Sequence, residues 1–364
     1  NKIEEKQIFK QAHQYPVLIH VPEDIRKLQL KILDFITLGL DRYYVDPKFR
    51  GIRELLRKLI IKSAMSSEQA LLNTFMRIGA RREGVTEEDL KRLERRLENY
   101  LTGEEEGELE VDKEVEEFFE IISSFIEPQR IDKLKSEIED IVQQVRRIME
   151  EGRSPKVNAL ADIVELALGK ALGEHKHVFK DVVSGKILVF TEFKDTAEQI
   201  FAQLKKTLEQ RIGRVPLSFI GKVRSLEQKY AQFLVKQRGE LSRYLNIIPT
   251  SDGRLIGIGL LTSESKRLLP VFQCMLNDKK LDTAVLISTD VAAEGLNMQA
   301  ANVVINYEVI WSPLKRDQRI GRVWRLGQER EVYVFDFHRC KIFRQEVPLQ
   351  DRLWDIACLF HSLR

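Results

Sequence analysis

The sequence has few cysteines and none of the patterns in which cysteines bind metals or form disulfide frameworks. Cys274, Cys340 and Cys358 are the only three, and no two of them form a C-x-x-C pair. This scarcity argues against a disulfide-rich fold and a zinc site, and it is typical of a reducing compartment such as the cytoplasm. No apolar run reaches about 18 residues, so we expect no membrane-spanning segment. The chain begins with Asn1 instead of Met, which indicates a piece of a longer protein.

An excess of charge of either sign is also missing from the chain as a whole. Lys and Arg number 59 and Asp and Glu 56, a net charge of +3 that by itself does not indicate a nucleic-acid binder. Its distribution is uneven, because residues 104–120 contain ten acidic residues and one lysine. The rest of the chain is therefore a basic body. The acidic segment is either a solvated helix face or a surface that mimics DNA or docks a basic partner.

Two patterns of hydrophobicity divide the chain. The first 180 residues show helical spacing almost throughout, and stripes at 115–126 and 131–149 predict a helical hairpin that can be separated from the rest. After residue 184, short β-rich runs alternate with helical stretches, which predicts an α/β fold with a parallel sheet and helices on both faces. The predicted strands are 186–190, 255–261, 283–288, 302–307 and 331–337, with a rival at 217–220.

These changes of pattern predict four regions. They are a helical segment 1–80, a helical insertion 81–153, an α/β lobe 154–340 with its own insertion at 211–253, and a helical extension 341–364.

Most candidate binding and catalytic residues lie within 286–328. Ser288, Thr289 and Asp290 follow a buried strand, and ligands of open α/β sheets bind beyond the carboxyl ends of the strands. Further on, Gln318, Arg322 and Arg325 have spacings of four and three, which would place them on one face of a helix. Two neighbouring guanidinium groups repel each other unless an anion lies between them, and a triphosphate is such an anion.

These residues resemble the second RecA-like lobe of superfamily-two helicases, specifically the Swi/Snf-type DNA-dependent ATPases. The matching segments are 186–193 for motif IV, 288–295 with Asn297 for motif V, 318–325 for motif VI, Trp311-Ser-Pro313, Arg325-Leu-Gly-Gln328, 154–160 and 56–72. Ala292-Ala-Glu-Gly295 replaces the Gly-Gly-x-Gly of many members and favours the bacterial and archaeal branch. The resemblance does not extend to 80–150 or 211–253.

The resemblance implies roles for individual residues. Arg322 and Arg325 would be arginine fingers that reach the γ-phosphate of ATP, supported by Gln318. The residues implied at the nucleotide are Gly295, Asn297 and Asp290, and those implied at DNA are Ser288, Thr289, Trp311, Lys315 and Arg316. The resemblance also implies that 1–80 connects two lobes. No metal ligand is expected, since His175 and His177 have no third partner in the sequence.

The phosphate loop of such motors is absent. No G-x-x-x-x-G-K-[ST] and no Asp-Glu-x-His occurs in the sequence. In this family both belong to the first lobe, which would hold most of the ATP and Mg²⁺. We therefore expect the chain to be the C-terminal motor lobe of an ATP-dependent translocase on double-stranded DNA, inactive alone, with its first lobe as a partner. Alternatives are a non-catalytic scaffold that binds a protein through the helical insertion, and an RNA helicase lobe.

Overall fold

A computed structural model describes residues 10–39, 42, 50–78, 83–102, 111–124, 126, 128–169, 182–212, 220–232, 241–290, 296–308, 310 and 313–339. Several predictions from the sequence concern residues outside these ranges, namely His175, His177, Gly295, Trp311, the extension 341–364 and parts of the insertion 211–253. None of the described helices is long and apolar enough to cross a membrane.

One sheet organises the described part of the chain. Its strands are β1 Ala12–Ile19, β2 Lys186–Thr191, β3 Leu245–Pro249, β4 Leu255–Leu261, β5 Thr283–Thr289, β6 Val303–Asn306 and β7 Val332–Arg339. They lie in the order β1-β7-β6-β2-β5-β4-β3. All neighbouring pairs are parallel except β3 with β4, which is antiparallel. The predicted parallel α/β sheet is confirmed.

Twelve α-helices surround and precede this sheet in the described residues. They are α1 Glu23–Asp34, α2 Arg50–Ser66, α3 Glu68–Arg77, α4 Glu87–Thr102, α5 Val111–Ser124, α6 Pro128–Glu150, α7 Pro155–Ala167, α8 Lys194–Ile212, α9 Ile220–Ala231, α10 Leu241–Tyr244, α11 Leu269–Asn277 and α12 Pro313–Gly321. Pro is the first residue of α6, α7 and α12, where its missing N–H would have no helical partner.

Helices cover both faces of the sheet, as its near-continuous apolar strands require. Ile187 and Val189 of β2 join a hydrophobic cluster with α7 and α8. The alternate residues Leu188 and Phe190 join a second cluster with α9 and α11 on the opposite face. Side chains of a strand point to opposite faces in turn, so β2 anchors two cores at once.

The first strand corrects the expectation that the first 180 residues are almost entirely helical. Residues 12–19 pair in parallel with β7 at the edge of the sheet. Pro16 lies within this strand, and an edge strand tolerates proline because one side needs no ladder hydrogen bond. On one face, the rings of Tyr15 and Phe335 stack with centroids 5.7 Å apart. Residues 1–80 therefore contribute a strand to the sheet as well as helices.

Most of the rival strand at 217–220 lies outside the described residues, so it stays a prediction, although Ile220 begins helix α9. Between β2 and β4, the described residues contain one strand, β3, which forms an antiparallel edge beside β4. The two strands that flank β2 are β5 and β6.

The predicted helical hairpin shares a core with the helices that precede it. The stripes at 115–126 and 131–149 lie on α5 and α6, and both helices pack against α3. Phe118 and Leu134 belong to the same hydrophobic cluster as Ile60 and Phe75. The expectation of a separable hairpin is therefore wrong, because its apolar faces are buried against α1 to α3. The boundary between 1–80 and 81–153 stays a proposal.

Candidate motor site at the carboxyl edge of the sheet

Three acidic side chains follow directly on the central parallel strands. Glu192 follows β2, Asp290 follows β5, and Glu308 lies two residues beyond β6. The carboxyl ends of these strands meet at one edge of the sheet, which is where ligands of such sheets bind. Each carboxylate has cationic or hydroxyl partners on other elements.

Asp290 anchors helix α12 through a bidentate ion pair with Arg319. The Oδ1 atom of Asp290 lies 2.6 Å from Nε of Arg319, and Oδ2 lies 2.7 Å from Nη2. Arg319 is buried, and its guanidinium lies 5.5 Å from the centroid of the Phe190 ring. Burial alone would raise the pKa of Asp290, but the charges of Arg319 and Lys315 lower it below its usual value.

Glu192 joins two lysines that come from different parts of the chain. Its Oε2 atom lies 2.8 Å from Nζ of Lys62 on α2, and its Oε1 atom lies 3.2 Å from Nζ of Lys315 on α12. The Glu192 side chain is only 6% exposed. Burial alone would raise its pKa, but the ammonium groups of Lys315 and Lys62 lower it far below the usual value. The carboxylate is therefore ionised at neutral pH.

Glu308 and Lys156 connect the end of α2 to the sheet. Hydroxyls of Ser66 and Thr191 both donate to Oε1 of Glu308, with Oγ of Ser66 at 2.6 Å. Nζ of Lys156 donates to the carbonyl oxygens of Met65 at 2.6 Å and Ser66 at 3.1 Å. The last carbonyls of a helix have no partner within it, so a buried ammonium there satisfies α2 and complements its dipole. Burial, more than any neighbouring charge, raises the pKa of Glu308.

Arg316 is placed differently from its predicted role as a DNA contact. It is buried, and its Nη2 atom donates to Oδ2 of Asp336 at 2.6 Å and to Oε1 of Gln14 at 2.9 Å. These bonds hold α12 to β7 and β1. A guanidinium bound inside the fold is not available to a DNA phosphate, so this assignment is corrected.

Lys315 is likewise engaged within the protein. Its Nζ atom lies 3.2 Å from Glu192 and 3.0 Å from Oδ2 of Asp290. A phosphate contact would require the ammonium to leave two carboxylates. The structure therefore gives Lys315 a place in the ion-pair network. Its contact with DNA stays a prediction.

Ser288 and Thr289 also differ from the prediction that their hydroxyls bind DNA. Both side chains are buried, and Oγ of Ser288 donates to the carbonyl oxygen of Thr289 at 3.0 Å. Their position at the buried end of β5 gives a DNA phosphate no access to them.

Gln318, Arg322 and Arg325 do not share one continuous helix. Helix α12 ends at Gly321, and Arg322 begins a turn in which its N–H donates to the carbonyl oxygen of Arg319 at 3.2 Å. Gln318 and Arg325 are exposed and Arg322 is half-buried. Within the described residues, none of the three side chains has a hydrogen bond or ion pair. The helical-face prediction is therefore wrong beyond Gly321.

The turn that carries the two arginines is attached to the loop after β5. The N–H of Met298 donates to the carbonyl oxygen of Arg322 at 3.0 Å, and Nε2 of Gln299 donates to that of Leu326 at 2.7 Å. Buried Gln328 donates back to the carbonyl oxygen of Ala301 at 2.9 Å. Asn297 is exposed at the start of this loop, and its Nδ2 atom donates to Gln299. The structure thus holds the segment after Asn297 against the turn that carries Arg322 and Arg325.

Sequence reasoning did not single out Lys62, Lys156, Glu192 or Glu308. Lys156 and Glu192 lie inside the segments 154–160 and 186–193 quoted for the resemblance, so the motif pattern could have identified them. Lys62 lies inside a third quoted segment, 56–72, whereas Glu308 lies in a loop without a distinctive pattern. The fold brings both residues to this edge.

Comparison with known proteins gives a family match in the same region. Residues 255–327 match the helicase conserved C-terminal domain. An uncharacterized ATP-dependent helicase, YqhH of Bacillus subtilis (strain 168), is 50% identical over 77 residues, which are 19% of this chain and 14% of that protein. The SNF2 domain-containing protein CLASSY 3 of Arabidopsis thaliana is 25% identical over 199 residues, which are 54% of this chain and 10% of that protein.

The chain thus spans a small part of these relatives' length. Among solved structures, the C-terminal part of the Fun30 ATPase domain covers 96% of this chain and 89% of its own at 14% identity, with a TM-score of 0.40.

Proposed function

Because this chain contains the C-terminal lobe of a Snf2-type helicase of superfamily two, we propose that it is the second motor lobe of an ATP-dependent translocase on double-stranded DNA. In this proposal the chain supplies arginines to a nucleotide that a first lobe holds. A scaffold role and an RNA helicase lobe become outcomes of the test.

The proposal rests on which cations on and after α12 are paired with carboxylates inside the fold. Lys315, Arg316 and Arg319 are all paired with carboxylates inside the fold. Arg322 and Arg325 have no such partner among the described residues, although they come only a few residues later. Two unpaired guanidinium groups on a turn attached to the fold are suited to an anion with several oxygens.

A triphosphate supplies that anion in this family, and its own site needs groups that this sequence lacks. The phosphate loop and the magnesium carboxylate are absent, so we propose that the first lobe contributes them. Mg²⁺ would neutralise charge on the phosphates there. From this chain, Arg322 and Arg325 would stabilise negative charge that develops on the transferred phosphoryl group. Gln318 would orient them, and Asn297 would couple the nucleotide to the track.

The DNA track is proposed from the Snf2-type relatives. Ser288, Thr289 and Arg316 are buried, so we propose Trp311 as a contact with DNA and Gly295 as a further contact with the nucleotide. A motor that grips the sugar-phosphate backbone needs little base recognition, so we expect weak sequence preference. A protein partner at the helical insertion also stays a prediction.

Arg322→Lys in a protein that includes the first lobe tests the proposal. Lysine keeps the charge but loses the planar fork of the guanidinium. We expect kcat for ATP to fall at least about tenfold, equivalent to about 1.4 kcal/mol, because arginine fingers contribute about 10³ to 10⁵ in related reactions. Duplex DNA affinity without nucleotide should not change. Steady-state ATP hydrolysis at saturating duplex DNA measures the effect.

Arg224→Lys on the exposed side of α9 is the matched control and should leave kcat unchanged. The present chain alone should show no ATP hydrolysis above a mock purification. Undiminished turnover in Arg322→Lys would contradict the arginine assignment. Stimulation by RNA and not by duplex DNA would favour the RNA helicase lobe, and no turnover in the wild-type two-lobe protein would favour the scaffold.

A further inference from the structure

The edge of the sheet contains a chain of ion pairs that runs from α2, where it is buried, to α12, where it is partly exposed. It begins at Lys62 on α2, whose Nζ atom lies 2.8 Å from Glu192. It continues from Glu192 to Lys315, and from Lys315 to Asp290 at 3.0 Å. The side chains of Lys62 and Glu192 are 9% and 6% exposed. Charges so well excluded from water interact strongly and are costly to leave unpaired.

Glu192 is the one carboxylate of this chain of ion pairs that contacts both the helical region and α12. Without it, the ammonium groups of Lys62 and Lys315 would face each other across a buried site. Lys315 would then retain Asp290 as its carboxylate partner and compete with Arg319 for it. Since Asp290 holds Arg319 with both oxygens, this competition would loosen the first turns of α12.

Movement of α12 reaches Arg322 directly through the backbone. Arg319 and Arg322 are joined by the hydrogen bond from the N–H of Arg322 to the carbonyl oxygen of Arg319 at 3.2 Å. The turn begins immediately after Gly321, the last residue of the helix. A shift of α12 therefore changes where the guanidinium of Arg322 lies.

We propose that Glu192 is a positioning residue for Arg322, which it holds in place through Lys315, Asp290 and helix α12. The proposal rests on the proposed function, since it assumes that Arg322 acts on the nucleotide. Glu192 itself contacts neither nucleotide nor DNA. Its second contact, with Lys62, makes the geometry of the arginine turn depend on the helical region.

The test compares turnover with stability in a protein that includes the first lobe. Glu192→Gln should lower kcat for ATP about tenfold with KM for ATP within about twofold, because the arginine is displaced while the first lobe still holds the nucleotide. It should also lower Tm, since it removes the carboxylate that lies 2.8 Å from the buried Lys62 ammonium. Adding Lys62→Met removes that ammonium and should recover Tm without recovering kcat. A residue with a merely structural role would recover both.

Glu198→Gln, a half-exposed carboxylate on α8, is the matched control and should change neither kcat nor Tm. Glu192→Asp keeps the charge on a shorter side chain, so it serves if Glu192→Gln does not fold, and it should lower kcat with little loss of Tm. Recovery of kcat in the double variant, or unchanged kcat in Glu192→Asp, overturns the proposal. If Arg322→Lys also leaves kcat unchanged, the proposed function has failed. If kcat falls in Arg322→Lys but is unchanged in Glu192→Asp, only this inference is refuted.

Discussion

Replacement of Arg316 by Gln tests whether this arginine stabilises the fold or binds DNA. Nη2 of Arg316 donates to Oδ2 of Asp336 at 2.6 Å, and the two side chains are 9% and 12% exposed. Asn306 also donates to Asp336, from Nδ2 to Oδ1 at 2.6 Å. Glutamine would leave this carboxylate in a buried site with one neutral donor from Asn306 and no cation.

The expected loss of stability follows from that geometry. Removal of one partner of a buried ion pair typically costs about 3 to 5 kcal/mol, and the remaining bond from Asn306 places Arg316→Gln near the lower value, about 3 kcal/mol. Urea unfolding of the present chain, followed by circular dichroism, measures the change in the free energy of unfolding. Arg325→Gln is the control, because an exposed arginine with no partner among the described residues should change stability by less than about 0.5 kcal/mol.

A second variant checks the cause. Arg316→Gln combined with Asp336→Asn removes the buried charge, so the pair should recover more than half of the lost stability. Fluorescence anisotropy with a labelled DNA duplex should show equal affinity for the wild type and Arg316→Gln. A stable Arg316→Gln protein with weakened, less salt-dependent DNA binding would refute this reasoning and restore the sequence-based assignment.

Two further outcomes follow from the shared core and the buried carboxylates. Deletion of residues 84–150, with a short Gly/Ser linker in their place, uncovers the apolar faces of α1 to α3. It should therefore abolish cooperative thermal unfolding of these helices and increase binding of a hydrophobic dye. A deletion protein that unfolds cooperatively and binds no more dye would contradict the shared core. The lowered pKa values of Glu192 and Asp290 mean that the unfolded state takes up protons first, so their contribution to the free energy of unfolding is present above about pH 5 and is lost as pH falls. Glu308, whose pKa is raised, acts in the opposite sense. Glu192→Gln should therefore flatten the acid side of the urea-unfolding profile, and an unchanged slope would contradict an ionised Glu192.

The central strands could be predicted from the sequence because their environment leaves a local signature. Strands such as β4 and β5 are buried on both faces, so every position is apolar or small and the run is continuous. β1 lacks this signature because it lies at the edge, where His13, Gln14 and Pro16 are tolerated. Its place in the sheet depends on β7, which is more than 300 residues away along the chain, and no local pattern records that pairing.

The sequence did not indicate which cations of the candidate site are paired inside the fold. In the sequence, Lys315, Arg316 and Arg322 are cations of one short segment. Nothing in the segment itself distinguishes which of them is available to an external anion. Their separation depends on Glu192 and Asp336, which reach α12 from other strands. Pairing between residues so far apart in sequence is a property of the sheet order, so it could not be read from the motif itself.

The end of α12 at Gly321 explains why the later arginine escapes the carboxylates that hold the earlier cations. Lys315 and Arg319 are four residues apart and share the face of the helix that meets Asp290. Arg322 comes three residues after Arg319, so an uninterrupted helix would carry it along the same face into the interior. Instead the backbone leaves the helix, and Met298 binds the carbonyl oxygen of Arg322 and holds the new direction. The guanidinium is thereby kept from internal carboxylates, which is the condition that the proposed contact with a phosphate on another lobe requires.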